Sequence, residues 1–309
     1  MIVILGPTAS GKSDLAMRVA EQAGGEILSV DSMQVYRGMD VGTAKPSADE
    51  RRRVRHHLID VVGPSESFAV SGFVTRADAV IADATGRGMP LIATGGTPLY
   101  YKALFEGLFD GPGADSVVRD RLNAEPLAEL HERLRQVDPV SAERIHPNDR
   151  RRTVRAMEVF EITGRPISSL QNEWTAGTHR HPARWFGLAW EKDALNRRIN
   201  ARVKAMIAAG WVEETRALLA NGPLSQTAAG ATGYAELIEH LNGRMSLEDA
   251  IEQIKIATRQ LAKRQMKWFR RWPQVTWLDG ATDVEQLAGV ITGMPANDAA
   301  SGSSPSGRG

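Results

Sequence analysis

Short apolar runs alternate with longer amphipathic stretches over the first hundred residues. Ile2-Val3-Ile4-Leu5 is apolar and largely β-branched, which predicts a buried strand. A glycine-rich turn follows. Ser13 to Ala23 then carries Leu15, Ala16, Val19 and Ala20 on one face, which predicts a helix stopped by Gly24-Gly25. Glu26 to Val30 predicts a second strand, ending at Asp31. Helical period returns from Phe68 to Thr85, and Pro90 to Thr94 predicts another buried strand that closes on Gly95-Gly96-Thr97. Strands alternating with helices imply an α/β fold, a mostly parallel sheet flanked by helices on both faces.

The strand signal disappears from about Gly113 to Pro182. Helical patterns such as Ala128 to Leu134 and Val154 to Ile162 make residues 113–183 an all-helical insertion. Strand character returns in Trp185 to Trp190. Long helices are predicted from about Asp193 to Leu219 and from about Leu247 to Trp272, with a final strand at Val275 to Leu278. Residues 1–112 and 184–296 therefore form one core, and residues 297–309, rich in Ser, Gly, Ala and Asn, read as a disordered tail. No internal repeat is visible.

Composition narrows this picture. A 42% hydrophobic content over 309 residues excludes disorder throughout. No apolar run approaches the roughly 20 residues of a membrane span, and the start does not read as a signal peptide, so a cytoplasmic protein is expected. The absence of cysteine excludes disulfides, a thiolate nucleophile and a cysteine metal site. Net charge is only +1, yet Arg51–Arg55 and Arg150–Arg155 are locally basic. Such clusters are more often solvated faces than nucleic-acid contacts.

The candidate chemistry begins at Gly6-Pro7-Thr8-Ala9-Ser10-Gly11-Lys12-Ser13. Two glycines spaced by four residues, then Lys-Ser, stand between a predicted strand and helix. Loop amides and the helix N-terminus there converge on phosphate oxygens, Lys12 supplies a mobile charge, and the Ser13 hydroxyl suits Mg²⁺ held between phosphates. The core is thus P-loop NTPase-like. The loop alone does not distinguish a nucleotide from another diphosphate. In a doubly wound sheet, ligands bind beyond the carboxyl ends of strands, which brings Asp31 and Thr97 toward the same loop. Asp31 reads as a metal ligand, a general base or a helix cap.

Further segments occur in order: Ser29 to Tyr36, Gly38 to Pro46, His56-His57-Leu58-Ile59-Asp60, Gly95 to Tyr100, Asn148-Asp149 before Arg151–Arg155, and Ala257 to Gln265. Together with the phosphate loop, this series resembles the tRNA dimethylallyltransferase (isopentenyl-diphosphate:tRNA transferase) family from residue 2 to about 279. The resemblance implies that Gly6 to Ser13 hold dimethylallyl diphosphate with Mg²⁺. It also implies that Asp31 is the catalytic carboxylate, with Thr97 and Arg202 assisting, and that the acceptor is N6 of the adenosine 3′ to the anticodon. Asp31, Ser32, Met33, Gln34, Thr97, Arg119, Arg151, Arg152, Thr153, Val154, Arg155, Gly233 and Tyr234 match the tRNA-contacting positions. The resemblance makes the insertion an anticodon-loop clamp and implies a channel in which base and diphosphate meet; a monomer is expected. Thr232 and Ala235 stand where the family has isoleucine and lysine, so no lysine contact is expected there.

Lys255, Arg259, Lys263, Lys267 and Arg271 recur every four residues, a basic stripe suited to a phosphate backbone, beside apolar Ile251, Ile254, Leu261, Trp268 and Trp272. His56 and His57 are expected to serve structural hydrogen bonds. Three rival readings share the phosphate loop: an isopentenyltransferase acting on free adenine nucleotides, a small-molecule kinase, and a non-catalytic RNA-binding switch. The first needs neither the helical insertion nor the basic C-terminal helix.

Overall fold

The computed structural model describes residues 1–107, 111–172 and 180–293. The chain divides into two compact units, one of residues 1–102 with 181–309 and one of residues 103–180. The expected tail lies outside the described residues.

The larger unit is built on six strands: β1 (Ile2–Leu5), β2 (Glu26–Ser29), β3 (His56–His57), β4 (Leu91–Thr94), β5 (Arg184–Ala189) and β6 (Val275–Asp279). They form one sheet in the order β3-β2-β4-β1-β5-β6, and every pairing is parallel. All four residues of β2 and of β4 are buried, as a parallel sheet covered on both faces demands. The α/β expectation therefore holds, and the sheet is wholly parallel. The chain builds β2, β3 and β4 to one side of β1 and returns to the other side for β5 and β6. The carboxyl ends of β1, β2 and β4 sit next to this reversal, where doubly wound sheets bind ligands.

Its early helices are α1 (Lys12–Ala23), α2 (Ala48–Arg53), α3 (Val70–Gly86) and α4 (Pro98–Glu106), and the first division between the units falls within α4. In the smaller unit lie α5 (Ser116–Ala124), α6 (Leu127–Val137), α7 (Pro139–Arg144), α8 (Arg150–Thr163) and α9 (Ile167–Asn172). The remainder are α10 (Lys192–Ala208), α11 (Trp211–Ala220), α12 (Gln226–Ala229), α13 (Tyr234–Leu241), α14 (Leu247–Phe269) and α15 (Val284–Thr292). No described helix is long and apolar enough to cross a membrane.

The predicted face of α1 is buried: Leu15, Ala16, Val19 and Ala20 pack with Ile4, Ile27 and Ile92 from the sheet and with Leu287, Ala288 and Ile291 of α15. A second core joins Tyr36 and Met39 to Trp211, Tyr234, Leu237 and Ile254. The smaller unit has its own core of Leu122, Leu130, Leu134, Val154, Met157, Val159 and Ile167.

One predicted helix is corrected. The stretch from Asp193 to Leu219 is two helices, broken at Ala209-Gly210. Gly210 adopts φ +95°, a conformation open to glycine and costly for other residues. The break turns Trp211 inward, where it is 2% exposed. The last long helix stops at Phe269, short of Trp272. Strand β3 and helix α15 were not anticipated, because a two-residue strand has no period and α15 follows the last strand with a short run.

Candidate active site

The phosphate loop joins β1 to α1. Gly11 occupies the N-cap of α1 and has no side chain with which to cap it, so the first-turn amides keep their protons for an external acceptor. Lys12 is 9% exposed, and its Nζ reaches the Pro7 carbonyl at 3.4 Å. Burial pulls its pKa down to about 8; Arg202 adds repulsion, while Asp31 and Asp14 oppose the shift. Arg202, on α10, is pushed below its ordinary value mainly by burial, with Asp31 and Asp14 again raising it. Lys12, Arg202 and Asp31 thus feel one another's charges across one small volume, and two desolvated cations there await an anion.

Two residues that sequence reasoning missed brace the loop from outside. Trp190 Nε1 donates to the Ser10 carbonyl at 2.9 Å, and Arg198 Nε donates to the Ala9 carbonyl at 2.8 Å. The Arg198 guanidinium stacks over the Trp190 ring at 4.4 Å. A third, Gln265 of α14, takes the Thr8 N–H at 2.8 Å. The Thr8 amide is thus engaged by Gln265. Gln265 closes the Ala257–Gln265 segment. The available signal was a polar residue at a core-facing helical position, between Ala262 and Phe269.

Asp31 follows β2. Its Oδ1 accepts the Met33 N–H at 2.8 Å and the Gln34 N–H at 3.4 Å, which fixes the carboxylate in a local turn. Among the described residues Oδ2 has no hydrogen bond. Thr97 follows β4: its hydroxyl accepts the Ser32 N–H at 2.9 Å and donates to Ser32 Oγ at 3.1 Å. The two loops touch because Gly95 has no side chain. A Cβ there would lie 2.1 Å from the Val30 carbonyl oxygen. Gln34 is held by its Oε1, which accepts from Ser29 at 2.8 Å, and by its amide, which reaches the Thr43 and Ala44 carbonyls, both at 3.3 Å. Met33 is half-buried against the second core.

The neighbouring 39–45 loop is anchored by a carboxylate that the sequence did not single out. Glu214 accepts the amides of Asp40 at 2.8 Å, Val41 at 2.7 Å and Gly42 at 3.2 Å, and the Tyr234 hydroxyl at 2.6 Å. Lys45, whose side chain is only 1% exposed, reaches the Tyr36 carbonyl, Asp40 and Asp60 at 2.6–2.7 Å. Tyr234 is 1% exposed, its hydroxyl bonded to Glu214. The Gly233 amide is likewise committed, to Glu236 at 2.7 Å.

In the smaller unit, Arg151 and Arg152 are exposed on α8, whereas Thr153 and Val154 are 0% and 4% exposed and belong to its core. Helix α8 thus turns one face to solvent and the other to the core. Arg119 and Arg155 both pair with the buried Glu158, at 3.0 Å and 2.6 Å. The α14 stripe is also uneven. Lys255 is 7% exposed and pairs with Glu252, and Arg259 donates to Asn200 at 2.9 Å. Lys263 and Lys267 are exposed, as is Arg271 beyond the helix end, its guanidinium over Trp268 at 5.4 Å. His57 and His56 make structural bonds, to Glu26 and to the Val54 carbonyl.

Known proteins resemble this chain along nearly its whole length. The model of the IPP transferase family matches residues 34–272, and that of isopentenyl transferase matches residues 1–64. The chain belongs to the IPP transferase family. It is 47% identical over 299 residues to tRNA dimethylallyltransferase of Geobacter metallireducens, covering 95% of this chain and 97% of that one. Against the Geobacillus kaustophilus tRNA dimethylallyltransferase, identity is 46% over 297 residues, covering 94% and 93%. Among solved structures, the tRNA isopentenylpyrophosphate transferase of Bacillus halodurans superposes with a TM-score of 0.70 at 38% identity, covering 94% of this chain and 95% of that chain. A eukaryotic dimethylallyltransferase acting on tRNA gives a TM-score of 0.79 at 29% identity, covering 97% and 81%.

Proposed function

We propose that this protein transfers the dimethylallyl group of dimethylallyl diphosphate to N6 of the adenosine 3′ to the anticodon in tRNA, releasing pyrophosphate. The observation that carries this reading is the pairing of two elements beyond the strand ends. One is a carboxylate, Asp31, held by its own loop amides with Oδ2 unpaired. The other is the desolvated Lys12–Arg202 pair at a loop with open amides. In the reaction N6 attacks the allylic carbon, and the carbon–oxygen bond breaks with its electron pair passing to the bridging oxygen of pyrophosphate. The N6 proton goes to Asp31. Lys12, Arg202 and the α1 amides then face growing negative charge, joined by the Thr97 hydroxyl once its proton turns away from Ser32 Oγ, and donors strengthened at that moment lower the barrier.

Among the described residues no cluster of three or more His, Asp or Glu side chains is arranged for a metal. The exposed Ser13 hydroxyl would offer a divalent ion a protein ligand, with diphosphate oxygens and water completing its shell. That set fits Mg²⁺, which would neutralise diphosphate charge when bound. Arg119, Arg151, Arg152, Ser32, Met33, Gln34, Lys263 and Lys267 are the side chains we assign to tRNA, with the 113–183 insertion as the clamp on the anticodon stem-loop. The enzyme is taken to act as a monomer in the cytoplasm.

The test is transfer of labelled dimethylallyl with Mg²⁺ to unmodified tRNA, AMP and ATP in parallel. Label in tRNA alone is expected; label in free nucleotide moves the assignment to the nucleotide isopentenyltransferases, and label in none refutes it. Asp31→Asn should lower kcat by about a hundredfold or more while leaving tRNA affinity within about threefold, the range of general base catalysis. Parallel loss of both would make Asp31 structural.

A further inference from the structure

Gln265 does more than tether α14. It is 5% exposed, and its side chain bridges two loops of the site: Oε1 accepts the Thr8 N–H at 2.8 Å, and Nε2 donates to the Gly96 carbonyl at 2.7 Å. The orientation of this amide has no alternative. Rotating it by half a turn would set NH₂ against N–H on one side and carbonyl against carbonyl on the other.

The two loops carry opposite ends of the reaction. Thr8 belongs to the loop assigned to the diphosphate. Gly96 precedes Thr97, whose N–H donates to the Val30 carbonyl at 3.3 Å and whose hydroxyl takes the Ser32 N–H at 2.9 Å. The Thr97 loop is thereby joined to the chain on both sides of Asp31. A Cβ on Gly96 would stand 2.7 Å from Gln265 Nε2 and 3.6 Å from Asp31 Oδ2. The glutamine amide and the open carboxylate oxygen thus border the same glycine. Displacement at the allylic carbon needs the attacking nitrogen and the departing oxygen in line, and a misplacement of about 1 Å costs such a step about a hundredfold. A bridge that sets the spacing of these two loops therefore acts on the chemical step without touching either substrate.

We propose that Gln265 is a positioning residue: by joining Thr8 to Gly96 it holds the diphosphate loop at a fixed distance from Asp31. This rests on the transferase reading given above.

The test is single-turnover transfer of labelled dimethylallyl from its diphosphate to unmodified tRNA by the full chain, as wild type, Gln265→Leu and Gln265→Glu. Each rate is divided by that of wild type at the same pH, which removes the titration of Asp31 and Lys12. Gln265→Leu fills the space and makes neither bond. Its saturated rate should fall at least about thirtyfold, while tRNA affinity and the half-saturating diphosphate concentration stay within about threefold. Gln265→Glu should change with pH. An ionised carboxylate still accepts from Thr8 but opposes the Gly96 carbonyl, whereas the protonated acid accepts at one oxygen and donates from the other, as the amide does. Burial and Asp31 favour that neutral form, with Lys12 opposing. This variant should match Gln265→Leu near about pH 9 and recover to within about threefold of wild type near about pH 6. The recovery is read within one variant, so a loss of folded protein on substitution does not imitate it. A wild-type rate in Gln265→Leu overturns the proposal, as does equal loss of rate and tRNA affinity, which would make Gln265 a structural tie alone. So does a Gln265→Glu rate whose ratio to wild type is constant with pH. Failure of wild type to transfer label overturns the transferase reading itself, and this proposal with it.

Discussion

Replacing Lys12 by methionine should stabilise the ligand-free protein at neutral pH, and the gain should vanish as pH rises. Burial lowers the Lys12 pKa from 10.5 to about 8, so at pH 7 the folded protein holds an ammonium that water would hold better. The sign follows from proton linkage. Between pH 8 and 10.5 the unfolded chain keeps this proton and the folded chain has lost it, so wild-type stability rises with pH across that window. At 1.36 kcal/mol per unit, the full shift is worth about 3 kcal/mol, and about 2 kcal/mol after allowance for relaxation around the charge. The methionine variant lacks this term. Its advantage should be about 2 kcal/mol near pH 7 and close to zero near pH 10. Tyr100, Tyr101 and Tyr234 also have raised pKa values from burial and act in the opposite sense at high pH, but they are common to both proteins and cancel in the difference.

Urea unfolding of both proteins from about pH 7 to 9.5 measures that difference directly. With pyrophosphate present the order should reverse, because the ligand stabilises wild type by mass action and finds no ammonium in the variant. A stability difference that stays constant over the whole pH range would refute the reasoning, since only a titrating buried lysine makes it vary.

Two further outcomes test the frame around the site. Glu214→Gln leaves at least two of four donors facing an NH₂ group. It should cost about 3 kcal/mol, which at about 2–4 °C per kcal/mol lowers the melting temperature by roughly 6–12 °C; a drop below about 2 °C would show that Glu214 is not what holds the 39–45 loop. At the opposite end of β2, Arg87 and His57 hold Glu26 at about 2, with the Arg87 hydrogen bonds the largest cause and burial opposing. A carboxylate lowered in this way contributes stability above about pH 4.5 that is lost as pH falls toward 2. Arg87→Met should therefore lower the urea midpoint clearly at pH 6 and much less at pH 3; equal losses at both would refute the ion-pair account.

What the sequence alone determined was local. The strand, glycine loop and helix from Ile2 to Ala23 are legible because their chemistry depends on neighbours a few residues away, and the same holds for the Asp31 turn and the Gly95-Gly96-Thr97 loop. The parallel sheet followed from the alternation of period, and the family from motifs occurring in order. Tertiary structure decided what depends on partners distant in the chain. Gln265 acts on Thr8 and Gly96, Trp190 and Arg198 act on Ser10 and Ala9, and Glu214 gathers the amides of residues 40–42. No periodicity carries such pairings, because hydrogen bonds between distant segments leave no spacing behind. The same limit applies to burial. Thr153, Val154, Lys255 and Tyr234 sit in motifs or stripes that look outward in one dimension. Which face of a helix meets the core is set by packing, and in each case packing turned the side chain inward.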